Sequence, residues 1–336
     1  MRCLVLGGSS FVGGRLVARL LEEGHDTAVL NRGRTAGSRP GVTQLVADRR
    51  DPDTMRAALR DREWDAVFDV SGYIMATDAA NFTALVDLLD GRTGRYVFVS
   101  SVMAYQFTGF FPWPETAPVT DDPPTTYGGF KAFAEKTLVD RFASSGLPAT
   151  VARPAAIYGP ENNIYDMESA MFLRLRRSLP ILLPHEGLVV NSFGHVDELA
   201  AALLVLATHP GAPGEIFNIS GVGVTAAQYV RALADIVGVE PDIRLVPDEV
   251  AAKLDRPAYC RLFKPRHHSL MDLTKARSVL GLPPERSFRE GHEQTYEWFL
   301  GSPLADARVN LDDPLWGKGF DLAYEAEVAQ QLDAGR

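Results

Sequence analysis

The sequence predicts an α/β protein: a doubly wound parallel sheet followed by a smaller, C-terminal mixed α/β lobe. Three observations carry this. Short apolar runs alternate with helical patterns over the first 150 or so residues, as in a parallel sheet covered on both faces. A glycine-rich turn, Gly7-Gly8-Ser9-Ser10-Phe11-Val12-Gly13-Gly14, directly follows the first apolar run. Beyond Gly159 the alternation loosens into short strands and helices separated by Pro/Gly turns.

In order, residues 3–6 form the first strand, and Val12, Leu16 and Leu20 recur at helical spacing behind the glycines. The second strand covers 27–30 and ends at Asn31. A Gly/Ser/Arg/Pro loop spans 35–41, the third strand 42–47, and Asp51-Pro52 opens a helix through 59. Strands are expected at 65–70, 95–99 and 149–153, with helices over 76–89 and 127–142. The intervening loop, 103–126, is rich in proline and aromatics.

Further on, 167–177 reads as a basic amphipathic helix, and 181–183 and 188–190 as short strands. A helix over 196–207 and a last core strand over 216–219 make 191–220 a return to the core. Helices are expected at 226–236, 273–280 and 288–299. The tail, 321–332, has helical spacing suited to capping the lobe or a partner subunit, and a homodimer is expected. The core domain is thus 1–160 and the lobe mainly 161–336.

At 336 residues and 46% hydrophobic content the chain can bury a substantial core. Its formal charge of -9, from 34 basic and 43 acidic residues, argues against nucleic acid or an anionic membrane as partner. Two cysteines, Cys3 in a buried strand and Cys260 in a polar segment, read as reduced thiols of a cytoplasmic protein. Neither a signal peptide nor a transmembrane helix is expected. His267-His268 lacks a third ligand at a recognisable spacing, so no metal site is expected.

Glycines at a strand-to-helix turn let the backbone approach a pyrophosphate, which the open amides of the helix N-terminus stabilise. The opening turn is therefore expected to bind a dinucleotide through Gly7, Ser9, Ser10, Phe11 and Val12. Gly7 and Gly13 match the outer glycines of a Gly-x-x-Gly-x-x-Gly pattern, with Ser10 in the middle place. Tyr127 and Lys131 lie one helical turn apart and face the same way. An ammonium there, with oxidised nicotinamide, would favour the phenolate and lower the Tyr127 pKa from its free value near ~10. Tyr127 would then exchange a proton with an alcohol or ketone. Ser101 would hold the reacting oxygen, and Lys131 would also bond the nicotinamide ribose.

Five segments resemble the extended short-chain dehydrogenase/reductase superfamily in its NAD-dependent epimerase/dehydratase branch, which has a Rossmann fold. They are Gly7 to Gly13, Ser100-Ser101-Val-Met-Ala-Tyr105, Tyr127 to Lys131, Arg153-Pro-Ala-Ala-Ile-Tyr-Gly-Pro160, and His195-Val-Asp197-Glu-Leu-Ala200. The resemblance covers nearly the whole chain and implies Ser101, Tyr127 and Lys131 as the catalytic set. Ser10 and Asn31-Arg32-Gly33 resemble the divergent branch that includes the chloroplast stem-loop RNA-binding proteins, an association the acidic charge does not support. In the sugar-nucleotide 4,6-dehydratases an Asp-Glu pair follows a catalytic Thr. Val102 and Met103 stand there instead, which disfavours elimination of water. The arginine usual before the Phe-x-His-Val-Asp motif is absent, Asn191-Ser192 preceding Phe193. Arg174, Arg176, Arg177, Arg261 and Arg266 are alternative anion ligands.

An acidic residue at the end of the second strand would favour NAD, a basic one NADP. Asn31 and Arg32 favour NADP(H), with NAD(H) left open, and Asp48 resembles the carboxylate that addresses adenine. Met75, Tyr105, Asn191 and Arg261 are candidate substrate-binding residues. His195 and Asp197 read as a helix cap. The expected function is an NAD(P)-dependent oxidoreductase acting on a secondary alcohol or ketone of a sugar or sugar-like metabolite. The alternatives are a sugar or nucleotide-sugar epimerase working through a transient ketone, and a non-catalytic cofactor-binding or RNA-associated protein.

Overall fold

In a computed structural model, residues 1–33, 39–219, 221–254, 263, 267–306, 308 and 321–334 are described. The chain runs β1 (Arg2–Leu6), α1 (Phe11–Glu22), β2 (Asp26–Asn31), β3 (Val42–Val46), α2 (Pro52–Leu59), β4 (Ala66–Asp69), α3 (Ala79–Leu89), β5 (Tyr96–Val99), α4 (Tyr127–Ser145), β6 (Ala149–Pro154) and β7 (Ala156–Tyr158). It continues with α5 (Glu168–Arg176), β8 (Ile181–Pro184), β9 (Val190–His195), α6 (Val196–Thr208), β10 (Ile216–Ile219), β11 (Val222–Thr225), α7 (Ala226–Val237), β12 (Ile243–Val246) and α8 (Asp248–Ala251). The last helices are α9 (Thr274–Leu280), α10 (Phe288–Leu300) and α11 (Leu322–Ala334).

Two compact units result. The first comprises 1–157, 194–221 and 271–285; the second comprises 158–193, 222–270 and 286–336. The first unit thus takes in α9, which the sequence reading put in the lobe.

The first unit is built on a seven-stranded sheet in the order β10-β6-β5-β4-β1-β2-β3, every pairing parallel. This is the Rossmann arrangement. Alternate residues of β1 face opposite layers, as the two-residue period of a strand requires. Cys3 and Val5 pack with Leu16, Val17 and Leu20 of α1 and with Leu199, Leu203 and Leu206 of α6. Leu4 and Leu6 pack on the other face with residues of α2, α3 and α4, among them Met55, Leu59, Phe82, Phe130 and Leu138. Strand order reverses between β1 and β4, and in such sheets ligands bind at the carboxyl ends beside that switch point. Cys3 is a free thiol in this core, pushed by burial up to about 11. No helix among the described residues is long and apolar enough to cross a membrane.

The second unit contains the antiparallel pair β9–β11 and the parallel pair β8–β12. Two expectations need correction here. Residues 188–190 are not a strand of their own: β9 begins at Val190 and runs on to His195. Helix α5 is buried along nearly its whole length rather than presenting a basic face, because Arg174 turns inward onto Glu325. That pair is bidentate, at 2.6 and 2.9 Å, and ties α11 to α5. Val328 and Ala329 of α11 also pack on Leu182 and Val246, so the tail helix caps this unit.

Candidate active site

The first unit carries the glycine turn, Asn31, Arg32, Asp48, Ser101, Tyr127 and Lys131, in or just after strands of its sheet or on α4. Gly7, at φ 94°, turns the chain out of β1. A side chain on Gly13 would overlap the carbonyl oxygen of Gly7, so only glycine lets α1 start this close to the turn. Phe11, 7% exposed, holds φ at 42°, a left-handed conformation unfavourable for an aromatic residue and typical of ligand clamps. Ser10 is the N-cap residue of α1, but its side chain does not cap the helix. Val12 packs half-buried against the core.

Asn31, the last residue of β2, is fully engaged. Its amide nitrogen donates to Ser9 Oγ at 2.7 Å. Its oxygen accepts from the Gly33 amide at 2.8 Å and from Gln44 Nε2 at 3.1 Å. The turn is thereby tied to the end of β2, beside an exposed Arg32. Asp48 is partly exposed, and its Oδ1 accepts the Arg50 amide at 3.0 Å. This cradle fits a dinucleotide: close-packed glycines, a helix N-terminus and a cation at the end of β2.

Helix α4 delivers the other half. Thr126 caps it by accepting from the Gly129 amide at 3.1 Å. Tyr127, in the first turn, is 42% exposed. Lys131, one turn on, is 2% exposed, and its ammonium donates to the carbonyls of Val99 at 2.6 Å and Gly72 at 2.8 Å. It lies 5.6 Å from the centre of the Tyr127 ring. Ser101 follows β5, and its Oγ accepts the Met103 amide at 3.2 Å.

The electrostatics differ from the expectation. Burial lowers the Lys131 pKa to about 7, with Asp69 opposing and Arg49 assisting the fall. The Tyr127 phenol is raised, not lowered: the surrounding protein pushes it up, the Ser101 side chain draws it back, and Tyr73 adds to the rise. Desolvation of the phenol is the largest cause, and the ammonium, bonded to two carbonyls, does not offset it. The polypeptide alone therefore supplies only part of the ionising influence anticipated for Tyr127.

Two buried networks in this unit were not foreseen. In one, Arg49 grips both oxygens of Asp69 and donates to Ser71 Oγ at 3.1 Å, while the Tyr96 hydroxyl donates to Asp69 Oδ2 at 2.7 Å. In the other, Arg153 donates from Nε and Nη2 to Glu135 at 2.8 and 2.5 Å, and Ser100 donates to the same carboxylate. Glu135 repeats the Tyr127, Lys131 spacing once more along α4, a signal that could have found it. Nothing comparable marks Arg49 and Asp69.

Tyr105 requires correction as a substrate ligand. It is 1% exposed, its hydroxyl donates to Asn218 Oδ1 at 2.8 Å, and its ring carries the Arg153 guanidinium at 4.5 Å. It is a core residue. Met75 is 71% exposed in the loop after β4, and its carbonyl accepts from Arg50 at 2.8 Å. Asn191 lies in the second unit on β9, opposite Val224 of β11. Arg174 is spent on Glu325, and Arg176 donates to the Ala305 carbonyl at 3.1 Å. Arg261, Arg266 and Cys260 lie outside the described residues. His268 Nδ1 accepts the Val190 amide at 3.0 Å. His195 caps α6 in a reciprocal box with Glu198, as its position implied.

A parallel Rossmann sheet with a glycine turn, a serine after β5 and a Tyr/Lys pair opening α4 defines a nucleotide-dependent enzyme of the short-chain dehydrogenase/reductase type. Residues 3–220 match the model of the NAD dependent epimerase/dehydratase family, and the chain belongs to that family. It is 30% identical to the chloroplast stem-loop binding protein of 41 kDa b from Arabidopsis thaliana, over 96% of this chain and 85% of that one. It is 25% identical to a UDP-glucose 4-epimerase from Mycolicibacterium smegmatis, over 89% and 98%. In structure it is similar to the UDP-glucose 4-epimerase of Thermotoga maritima, with a TM-score of 0.73, 24% identity and coverage of 90% and 99%. The cofactor of the family is a nicotinamide dinucleotide.

Proposed function

We propose that this enzyme moves a hydride between a nicotinamide cofactor and a secondary alcohol or ketone on a sugar or sugar-like substrate, with Ser101, Tyr127 and Lys131 as its working groups. The observation that carries this is their convergence: Tyr127 and Lys131 share one face of α4, and Ser101 acts on the Tyr127 phenol. The cofactor, when bound, supplies the site from which hydride leaves or to which it goes. Ser101 holds the substrate oxygen by its hydroxyl, and Tyr127 takes the alcohol proton or returns it. Lys131 would bond the ribose hydroxyls and, when protonated, add positive charge near the phenol. Ser9, Ser10, Phe11 and Val12 would hold the phosphates at the turn, and Asp48 would address the adenine. Arg32, with no carboxylate at the end of β2, favours NADP(H) over NAD(H).

Epimerisation is the second reading, supported by relatives named UDP-glucose 4-epimerases. It uses the same groups, returning hydride to the opposite face of a transient ketone. Dehydration is disfavoured because Val102 and Met103 offer neither an acid nor a base. Incubation with a panel of UDP- and dTDP-sugars tests the reading. Net absorbance change at the nicotinamide wavelength indicates a reductase. Sugar isomers appearing without such a change indicate an epimerase. Tight binding of a stem-loop RNA, with no sugar conversion, would instead favour a role like that in the name of the Arabidopsis relative; the charge of -9 opposes it.

A further inference from the structure

The Arg49–Asp69 pair lies where the reading above puts the catalytic lysine, and no step of that reading uses it. Asp69 ends β4 and is fully buried; Arg49 follows β3 and is 7% exposed. The two are joined through both carboxylate oxygens, and Tyr96 bonds the same carboxylate. Their connection to Lys131 runs through Gly72. Its carbonyl accepts from the ammonium at 2.8 Å, and a Cβ built on it would lie 3.0 Å from Asp69 Oδ2. The charged groups acting on Lys131 are Asp69, Arg49 and Glu135, the last already paired with Arg153. On its own helix the phenol of Tyr127 is the titratable neighbour, and β5 presents the Phe98 ring at 4.8 Å.

A buried carboxylate whose charge reaches a buried ammonium competes for it, since an unpaired charge at low dielectric is strongly disfavoured. Lys131 bonds two neutral carbonyls instead. We propose that Arg49 and Asp69 are positioning residues for Lys131: Arg49 occupies both oxygens of Asp69, so the ammonium rests on the carbonyls of Val99 and Gly72 and stays free to transfer to a ligand hydroxyl. The inference rests on the assignment of Lys131 above. It adds that the two charges of the pair act on the lysine in opposite directions.

The test is an NMR titration of the Lys131 side-chain 13Cε resonance in the full chain without cofactor, the signal assigned by its loss in Lys131→Arg. Arg49→Met leaves the carboxylate uncompensated and should move the Lys131 midpoint up. Asp69→Asn leaves the guanidinium uncompensated and should move it down. Each displacement should be about one pH unit or more for charges at this range. The double variant should titrate within about half a unit of the parent, and Arg49→Lys, which keeps the charge, should do the same. Midpoints unmoved in both single variants overturn the proposal. Should Arg49→Met not fold, the near-isosteric Asp69→Asn decides alone: a downward move supports the proposal and an unmoved midpoint overturns it. The readout needs no turnover, so its failure is distinguishable from failure of the catalytic assignment.

Discussion

The ammonium of Lys131 lies 5.6 Å from the ring centre of Tyr127, on the same face of α4, yet donates to the carbonyls of Val99 and Gly72. The lysine thus spends its hydrogen bonds on the backbone, and the surrounding protein, which disfavours the phenolate, dominates at Tyr127. Tyr127 should therefore titrate above the ordinary tyrosine value near ~10 in the ligand-free protein. The tyrosinate absorbance difference between the parent and Tyr127→Phe measures this, and a midpoint below that value would contradict the geometry.

Lys131 also makes stability depend on pH. Its folded pKa, about 7, lies below the 10.5 of the unfolded chain, so between these values the unfolded state binds more protons. Its contribution to stability therefore rises with pH from about 7 towards 10.5 and is flat outside that window. In Lys131→Met this contribution should vanish. The difference in denaturation free energy between parent and variant, measured at pH 7 and pH 9, should change by about 2 kcal/mol.

Glu168 provides the opposite case. It is buried, accepts from Asn162 Nδ2 at 2.9 Å, and is raised by burial from 4.5 to about 7. The folded state here binds the extra proton, so stability is lost as pH rises from about 4.5 to about 7. Glu168→Gln should be more stable than the parent at pH 8, by about 3 kcal/mol, and lose most of that advantage by pH 4.5. Urea denaturation at the two pH values checks it.

At the mouth of the cofactor cradle, Arg32→Ala should weaken NADPH binding about tenfold while changing NADH binding less than about twofold, the loss expected of one charged contact with the extra phosphate. Fluorescence titration with both cofactors is the check. Equal losses would remove Arg32 from the phosphate site.

Much of the fold was legible because it is periodic. The alternation in β1 that sends Cys3 and Val5 to one layer and Leu4 and Leu6 to the other is visible in the sequence, as are the glycine turn and the spacing of Tyr127 and Lys131. What escaped depends on pairing across long stretches of chain. Arg174 was expected as an anion ligand on a basic helix, but Glu325, from the tail, pairs with it. Arg49 sits in the loop after β3 and Asp69 at the end of β4, with no shared spacing. Tyr105 was expected to bind substrate because it lies in a loop near the crevice, but its hydroxyl is taken by Asn218, from a distant strand. Lys131 was expected to serve the phenol, whereas its partners are backbone carbonyls, which leave no trace in residue identity.

The most direct measurement is turnover of the converted sugar nucleotide by Tyr127→Phe, compared with the parent at matched cofactor occupancy. Removing a proton-transfer group should lower turnover by about 10²-fold or more with cofactor affinity kept within about threefold. Turnover within about twofold of the parent would contradict the role of Tyr127 and, with it, the catalytic reading of this site.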